Sequence, residues 1–402
     1  MRFHELPPIF VGTIIRQLNL LKFIGIDVLD ESNCNFIKQN VRIMLVGSFL
    51  ITMLIGQVLY ILKAEKIGAS FLDVVNAIPT VLIVFQVCLK TIVLTVKKKQ
   101  LRDIILDIGK EWPDFVNEEK SMVIRTWTKR LKIFDNAFFR AAVVSILCFS
   151  ISPLLITIYK ISTQTDMRYE LIVQVHYFCD IDSTLKYALF YFQQFILFVG
   201  VLTHLCIYIA CDLVLVDLIF DLSTLLCLVQ IDLKNLRRPP HRHITEDDCD
   251  DVNKIARKHQ TLLRLTERLN DIFGPVIFTQ LSFSSIVICC YGFLAIIANG
   301  MFLKNITASF GIMFAIFVLA WPGQKLIDTS SGVAEAAYQC DWYERNNKFR
   351  KYISIMVVRS RKPCKLSALG FSDLTLEMFS KVISTSWSYL SLLNQMYKDF
   401  DP

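Results

Sequence analysis

The sequence lacks the short motifs of the common enzyme classes. It contains no His-Glu-x-x-His, no Gly-x-Ser-x-Gly, no Walker loop and no Gly-x-Gly-x-x-Gly, the patterns that bind catalytic zinc, expose a nucleophilic serine or cradle phosphate. Its twelve cysteines include no Cys-x-x-Cys pair, so zinc-type spacing is missing. His241 and His243 stand close together, but their polar surroundings predict a solvated loop. We therefore expect no catalytic residue, no metal and no cofactor.

Charge is also scarce, and apolar residues are in excess. Only 20% of the 402 residues are charged, 54% are hydrophobic, and the mean hydropathy is +0.47. Soluble domains contain about 45–50% apolar residues. The excess lies in blocks of the length that a helix needs to cross a bilayer. Seven blocks qualify, at residues 43–62, 74–96, 141–159, 187–211, 273–303, 305–324 and 378–397.

Basic residues indicate how these blocks are oriented. The first block begins near Val41, too late and too long for a cleavable signal peptide, so we expect it to be the first span. Of the 43 Lys and Arg residues, 32 precede this block or follow the second, fourth and sixth blocks, whereas 6 fall in the other loops and the tail. Lys and Arg accumulate on the cytoplasmic side. We expect an all-α membrane protein with seven transmembrane helices, a cytoplasmic amino terminus and an extracellular carboxyl terminus. The net charge of +7 then reflects this retention and requires no nucleic-acid partner.

This orientation is opposite to that of G-protein-coupled receptors, the best-known class with seven spans. The sequence also has no Asp-Arg-Tyr triplet after the third block and no Asn-Pro dipeptide. Both the topology and the motifs therefore argue against that class.

Two stretches predict helices that continue into the cytoplasm. The helical pattern of the fourth block runs on to about Phe220, and residues 252–272 repeat apolar positions at three- and four-residue steps. Three charged residues, Lys90, Asp212 and Asp217, lie in or beside spans without an obvious ionic partner in the sequence.

The seventh block carries a polar stripe. Ser384, Ser388, Ser391 and Gln395 are separated by four, three and four residues and share one helical face. Such a stripe should not face lipid. It either hydrogen-bonds to other helices or lines water, and spacing alone does not decide between these roles.

The carboxyl-terminal region resembles a known family. Its pattern consists of Tyr338, Asp341-Trp342-Tyr343, Arg359-x-Arg361-Lys362-Pro363, Phe379 and Ser384-Thr385-Ser386-Trp387-Ser388-Tyr389-Leu390. It is similar to the signature of insect odorant receptors, and the Ser-Thr-Ser-Trp-Ser-Tyr stretch particularly resembles moth receptors, including the pheromone-receptor group. Leu390 departs from the pattern, where phenylalanine is common, but it keeps the position apolar.

The resemblance implies a subunit of a ligand-gated, non-selective cation channel in the dendritic plasma membrane of olfactory neurons. The partner would be the shared odorant receptor co-receptor, in a heterotetramer whose final helices surround the pore. By position, Leu392 would form the hydrophobic gate, Gln395 the polar ring beside it, and Ser388 and Met396 further lining. The chain would divide into an amino-terminal segment 1–40, spans one to six in 41–324, cytoplasmic anchor helices in 325–372, and the pore helix with its tail in 373–402.

The family's ligand would be a small, volatile, hydrophobic molecule, with a sex pheromone as one candidate. The resemblance places its pocket among the external halves of spans two to six. The residues expected to contribute are Val75, Ile78, Pro79, Leu82, Phe149, Ser152, Ile156, Phe190, Tyr191, Gln194, Phe198, Cys289, Phe293 and Ile296.

Two alternatives stay open at this point. One is a gustatory receptor of the same architecture, although its Thr-Tyr…Gln-Phe signature differs from Tyr389 and Gln395-Met396 here. The other is a transporter or membrane scaffold, for which we find no internal repeat. The sequon at Asn305 falls in a predicted external loop, close to the membrane.

Overall fold

The computed structural model describes residues 3–29, 36–113, 117–163, 184–236, 247–297 and 302–400, and α-helices dominate these residues. Short 3-10 helices lie at Phe3–Glu5 and Trp342–Glu344. The α-helices of the described residues are α1 Pro8–Ile24, α2 Phe36–Leu62, α3 Ala64–Ile67, α4 Phe71–Val96, α5 Lys98–Lys110, α6 Glu118–Thr163, α7 Thr184–Asn235, α8 Asp247–Ile297, α9 Phe302–Tyr338, α10 Asn347–Ser360 and α11 Leu376–Phe400.

Four helices are far longer than a bilayer requires. Helices α6, α7, α8 and α9 contain 46, 52, 51 and 37 residues, and at about 1.5 Å per residue each exceeds a hydrocarbon core of roughly 30 Å. Among the described residues, five helical stretches are long and apolar enough to cross a membrane, in α4, α6, α7, α8 and α9. The amphipathic segment 252–272 and the fifth apolar block, which we predicted separately, form the single helix α8.

The second half of α7 is surrounded by protein on all sides. Nearly every side chain from Tyr208 to Val229 is buried, including Leu215, Ile219 and Leu226 with no exposure. A helix that is hydrophobic all round belongs in a core rather than at a surface. Helices α1, α6, α8 and α9 pack against it.

We call this end of the molecule the anchor, meaning α1, α5 and α10 with the adjoining parts of α6 to α9. Phe10 and Ile14 of α1, Ile105 of α5 and Phe349 of α10 are fully or almost fully buried in one apolar cluster. Helix α1 also approaches α5 closely, since a β-carbon at Gly109 would lie within 3 Å of Leu6 and Phe10 atoms. Helix α10 lies within the predicted anchor segment 325–372, and α1 and α5 pack into the same apolar cluster.

Three buried carboxyl groups lie where α1 meets α6 and α7. Asp135, Asp217 and Asp221 are 5%, 0% and 2% exposed. Gln17 of α1 donates a hydrogen bond to Asp135 at 2.8 Å, and the Thr13 hydroxyl donates one to Asp221 at 3.2 Å. An unpaired buried charge is costly, so such groups shift toward their neutral form.

Protonation of this cluster should make stability depend on pH. Asp135 lies outside the predicted span 141–159. Burial raises the pKa of Asp135 to about 7, although the hydrogen bond from Gln17 and the nearby Arg16 act in the opposite direction.

We expect Asp135→Asn to stabilise the protein at alkaline pH. The folded-state pKa of Asp135 exceeds its unfolded value, so the stability that depends on its protonation is fully present only below about pH 4 and is lost progressively as pH rises to about 7. Asparagine resembles the protonated acid at every pH. The melting temperature in detergent should therefore rise by several degrees at pH 8.5, for roughly 4 kcal/mol, and change little at pH 4. An equal shift at both pH values would contradict this assignment.

Candidate functional site

A partly open cavity of about 190 Å³ lies among six helices. It is bounded by α2, α4, α6, α7, α8 and α9, and most of its walls are apolar. The lining residues are Met53, Gln57, Thr80, Ile83, Val84, Phe138, Ala141, Ala142, Ser145, Phe149, Tyr208, Ile209, Tyr291, Ala308, Gly311, Ile312, Phe314 and Ala315. Small apolar spaces of this kind are typical sites for small hydrophobic ligands.

Small residues on two helices account for much of this space. Ala141, Ala142 and Ser145 lie on α6, and Ala308, Gly311 and Ala315 lie on α9, each set at steps that keep it on one face. The contact is tight at one point, where a β-carbon on Gly311 would lie 2.8 Å from the Ser145 hydroxyl oxygen. The width of the cavity is therefore sensitive to a single methyl group at Gly311.

Most polar groups around the cavity already have partners. The Thr80 hydroxyl donates to the Ala77 carbonyl at 2.8 Å. The Tyr208 hydroxyl donates to the Gln86 side chain at 3.3 Å and accepts a hydrogen bond from Gln280 at 2.5 Å. These bonds direct the polar atoms toward the protein and leave mainly carbon facing the cavity.

A buried ion pair lies directly beside the cavity. Lys90 of α4 donates hydrogen bonds to both carboxylate oxygens of Asp212 of α7, at 2.8 and 2.9 Å, and both side chains are 1% exposed. The Lys90 ammonium also lies 3.3 Å from the ring centroid of Tyr208, which adds a cation–π attraction. Our expectation that Lys90 and Asp212 lack partners was wrong, since they pair with each other across 122 residues of sequence.

One of the predicted ligand residues lines the cavity. Phe149 does so directly. Val75, Ile78, Leu82, Cys289 and Phe293 instead belong to an apolar cluster beside the cavity, which also contains the cavity residue Tyr291. Pro79 is buried in α4 but does not reach the cavity.

The other predicted ligand residues lie elsewhere. Ser152 and Ile156 are half-buried on α6, and Tyr191 and Gln194 are buried near the start of α7, none of them at the cavity. Phe190 is half-buried in the same part of α7. Ile296 is 64% exposed and does not line the cavity, and the side chain of Phe198 falls outside the described residues.

The sequence interpretation also missed residues that do line the cavity. Met53 and Gln57 come from α2, which contains the first predicted span and lies outside the expected pocket of spans two to six. Tyr208 and Ile209 lie further along α7 than the expected residues between Phe190 and Phe198. The recurring small residues on α6 and α9 were a usable signal, because they leave space wherever large side chains do not fill it.

Helix α11 leaves its predicted lining face uncovered within the subunit. Leu392 is 57% and Met396 is 49% exposed, and Ser388 and Gln395 are exposed as well. Leu390 on the opposite side is buried in the apolar cluster beside the cavity. The face that carries the four predicted pore residues is therefore free to meet water or another subunit.

Four hydroxyl groups of α11 bond to their own helix. Ser380, Thr385, Ser386 and Ser388 each donate to the carbonyl oxygen four residues earlier, at 2.8–3.2 Å. These bonds satisfy the hydroxyls locally. Of the predicted stripe, Ser388 is the residue in this set, and its hydroxyl therefore donates within α11 and not to another helix.

Comparison with known proteins identifies the family. A model described as the 7tm odorant receptor family matches residues 70–387. This chain belongs to the odorant receptor family. The prediction of family membership is confirmed, and the members of this family are receptors rather than enzymes.

Individual odorant receptors are similar over different lengths. Putative odorant receptor 92a of Drosophila melanogaster is 22% identical over 391 residues, 94% of each chain. Odorant receptor 49a of the same fly is 26% identical over 241 residues, 58% of each chain. Odorant receptor 13a is 30% identical over 163 residues, and this match spans 39% of that relative's length.

The fold is that of a solved insect olfactory receptor. The structure of OR5 from Machilis hrabei in complex with eugenol superposes with a TM-score of 0.79 at 14% identity, covering 95% of this chain and 99% of OR5. A second OR5 structure gives a TM-score of 0.78 at 15% identity over the same shares. The predicted all-α, seven-span fold is confirmed.

The sequon of this odorant receptor is not in a loop. Asn305 lies in α9 and is 1% exposed, and among the described residues neither polar atom of its side chain has a hydrogen-bond partner. The expectation of an external loop at Asn305 was wrong. A buried, helical asparagine does not offer the accessible loop that glycosylation requires.

Breaking the Lys90–Asp212 pair should destabilise the receptor strongly. Lys90→Met leaves a buried carboxylate without its partner, which costs about 3–5 kcal/mol. The double variant Lys90→Met/Asp212→Leu removes both charges and should recover most of that loss. The measurement is the fraction of monodisperse protein that survives a heating series in detergent.

Lys381→Met provides a matched control. Lys381 pairs with Glu377 on the surface of α11, where both side chains are more than 70% exposed, and such pairs contribute little. If Lys90→Met proves no more harmful than Lys381→Met, the buried pair does not have the structural role assigned to it.

Proposed function

We propose that this chain is the odorant-binding subunit of a ligand-gated, non-selective cation channel that assembles with the odorant receptor co-receptor as a heterotetramer. The observation that carries the proposal is an apolar cavity next to a helix with an uncovered face of Ser388, Leu392, Gln395 and Met396. The cavity offers a place for an apolar ligand, and the uncovered face offers a surface that several subunits can arrange around a pore.

The proposed orientation places the anchor in the cytoplasm. The 32 basic residues of the amino-terminal segment and the even-numbered loops support this direction. The last turns of α11, with Leu392 and Gln395, then lie near the extracellular surface. We expect the receptor to reside in the dendritic plasma membrane of olfactory neurons.

The size of the cavity favours a compact ligand. An apolar cavity of roughly 150 Å³ is enough for benzene, so about 190 Å³ suits a single ring with short substituents. A long-chain aliphatic pheromone would need additional space. Of the ligands that the resemblance implied, a small plant-type volatile therefore fits this cavity better than a pheromone. OR5 was solved with eugenol, a ligand of the compact kind.

The cavity is connected to α11 through one short segment of α8. Tyr291 lines the cavity, and a β-carbon on the next residue, Gly292, would lie 3.5 Å from Leu390 of α11. Phe293 then packs against Tyr397 of α11, with ring centroids 5.7 Å apart. A ligand that binds more tightly to the open form shifts the population toward it, and displacement of Tyr291 is the proposed first step.

The proposed gate is a ring of Leu392 side chains, with Gln395 as the polar ring beside it. An apolar constriction blocks ions by excluding water, whereas polar groups allow ions to keep their hydration. Membership of the odorant receptor family argues against the gustatory and transporter alternatives.

The direct test is odorant-evoked current in cells that express this chain with the co-receptor. We expect compact aromatic or terpenoid volatiles to evoke cation currents. Gly311→Ala should raise the odorant concentration that gives half of the maximal current several-fold, because the added methyl group approaches Ser145. Gly47→Ala is the control, since a β-carbon there would meet no atom within 4 Å. No current from a broad panel, despite confirmed surface expression, would contradict the proposed function.

Leu392→Ser should open the channel in the absence of ligand. A hydroxyl in place of the leucine side chain lets water enter the constriction, so the basal cation current should rise at least twofold. Leu189→Ser makes the same chemical change at a 61% exposed leucine of α7 and should leave the basal current unchanged. Equal effects of both substitutions on the basal current would show that Leu392 does not form the gate.

A further inference from the structure

Gln57 is an unusual residue in the wall of the cavity. It lies on α2, one turn after Met53, and both side chains line the cavity. Gln57 is 1% exposed, and among the described residues its side-chain carbonyl oxygen has no hydrogen-bond partner. A buried acceptor in this state is rare and requires an explanation.

The neighbouring polar residues Thr80 and Tyr208 do not donate a hydrogen bond to this carbonyl oxygen. Thr80 and Tyr208 direct their hydroxyl hydrogens to Ala77 and Gln86. Gln57 borders a space that is otherwise bounded mainly by carbon, and its amide oxygen is buried in the wall of that space. A molecule in that space that carries a hydrogen-bond donor would satisfy the amide oxygen, and a pure hydrocarbon would leave it unsatisfied.

We propose that the ligand of this cavity is a compact apolar molecule bearing a hydroxyl group, an alcohol or a phenol, and that Gln57 accepts the hydrogen bond of this hydroxyl. The inference rests on the proposed function. A hydroxyl both donates and accepts, so it can bond to a primary amide in either orientation. An aldehyde, ketone or ester only accepts and cannot satisfy the carbonyl oxygen. Gln57 is thus assigned as the residue that determines selectivity for hydroxyl-bearing odorants.

The test compares ligands that differ in one group. Benzyl alcohol and ethylbenzene have the same skeleton, with a hydroxyl in one and a methyl in the other, and benzaldehyde offers only an acceptor. In cells that express this chain with the co-receptor, the wild type should respond to benzyl alcohol at a concentration roughly tenfold lower than to either of the others, as expected for one hydrogen bond to an unpaired buried group.

The variant Gln57→Met keeps the length of the side chain and removes its amide. It should reduce the preference for benzyl alcohol over ethylbenzene to within about twofold, chiefly by weakening the response to the alcohol. Gln57→Asn keeps an amide and should retain part of the preference. Gln100→Met is the control, because it makes the same chemical change at an exposed glutamine of α5 and should leave the preference unchanged. Tyr291→Phe removes a hydroxyl from another cavity residue and tests the competing assignment.

The outcomes separate this inference from the function on which it rests. Currents that show no preference among the three compounds, or an unchanged preference in Gln57→Met, would overturn the role of Gln57 while supporting the channel. A preference abolished by Tyr291→Phe but not by Gln57→Met would assign the selectivity to Tyr291 and overturn our proposal. If neither these compounds nor the broad odorant panel evokes current despite surface expression, the proposed function itself fails.

Discussion

The pairing of Lys90 with Asp212 constrains the arrangement of the helices around the cavity. Neither charge can face hydrocarbon at acceptable cost, so each one orients its helix toward the other. Ile83 lies two helical turns before Lys90 on the same face of α4, and Tyr208 lies one turn before Asp212 on α7. Both of these residues line the cavity. The ion pair therefore determines which faces of α4 and α7 bound the ligand space, in addition to joining the two helices.

The long helices pack densely in the anchor and leave space between them around the cavity. In the anchor, large side chains fill the space between α7 and its neighbours, and backbone segments approach closely. A β-carbon at Gly323 of α9 would collide with the Leu374 carbonyl, and Gln230 of α7 donates a hydrogen bond at 2.7 Å to the Thr329 carbonyl of α9. Around Gly311, the same helix α9 presents small residues to small residues on α6. Dense packing at one end fixes the positions of the long helices, and small side chains at the other end leave a space between them.

This division explains what could be predicted from the sequence. Hydropathy located the spans because the cost of burying charge in lipid acts on each segment separately. The spacing of Ser384, Ser388, Ser391 and Gln395 identified one face of α11, which the structure leaves exposed, because helical periodicity is local. The pairing of Lys90 with Asp212 could not be deduced, since it depends on how two distant helices meet. Most residues of the cavity wall were missed for a similar reason: the cavity is a space left by neighbouring helices, and the residues on its walls look like ordinary core in sequence. Only the small residues at Ala308, Gly311 and Ala315 gave a local indication of it.

The contacts of α11 favour movement of this helix. Thr385, Ser386 and Ser388 donate their hydroxyl hydrogen bonds within the helix, and Lys381 pairs with Glu377 one turn away, so these groups do not tie it to its neighbours. Leu390, Leu393 and Tyr397 connect it to α8 through apolar contact, which is not directional. Small displacements of α11 therefore require no exchange of the hydrogen bonds that these side chains make. Leu390 packs beside Gly292, next to Tyr291 in the cavity wall. A ligand that moves Tyr291 therefore acts on α11, which is held in place mainly by apolar packing.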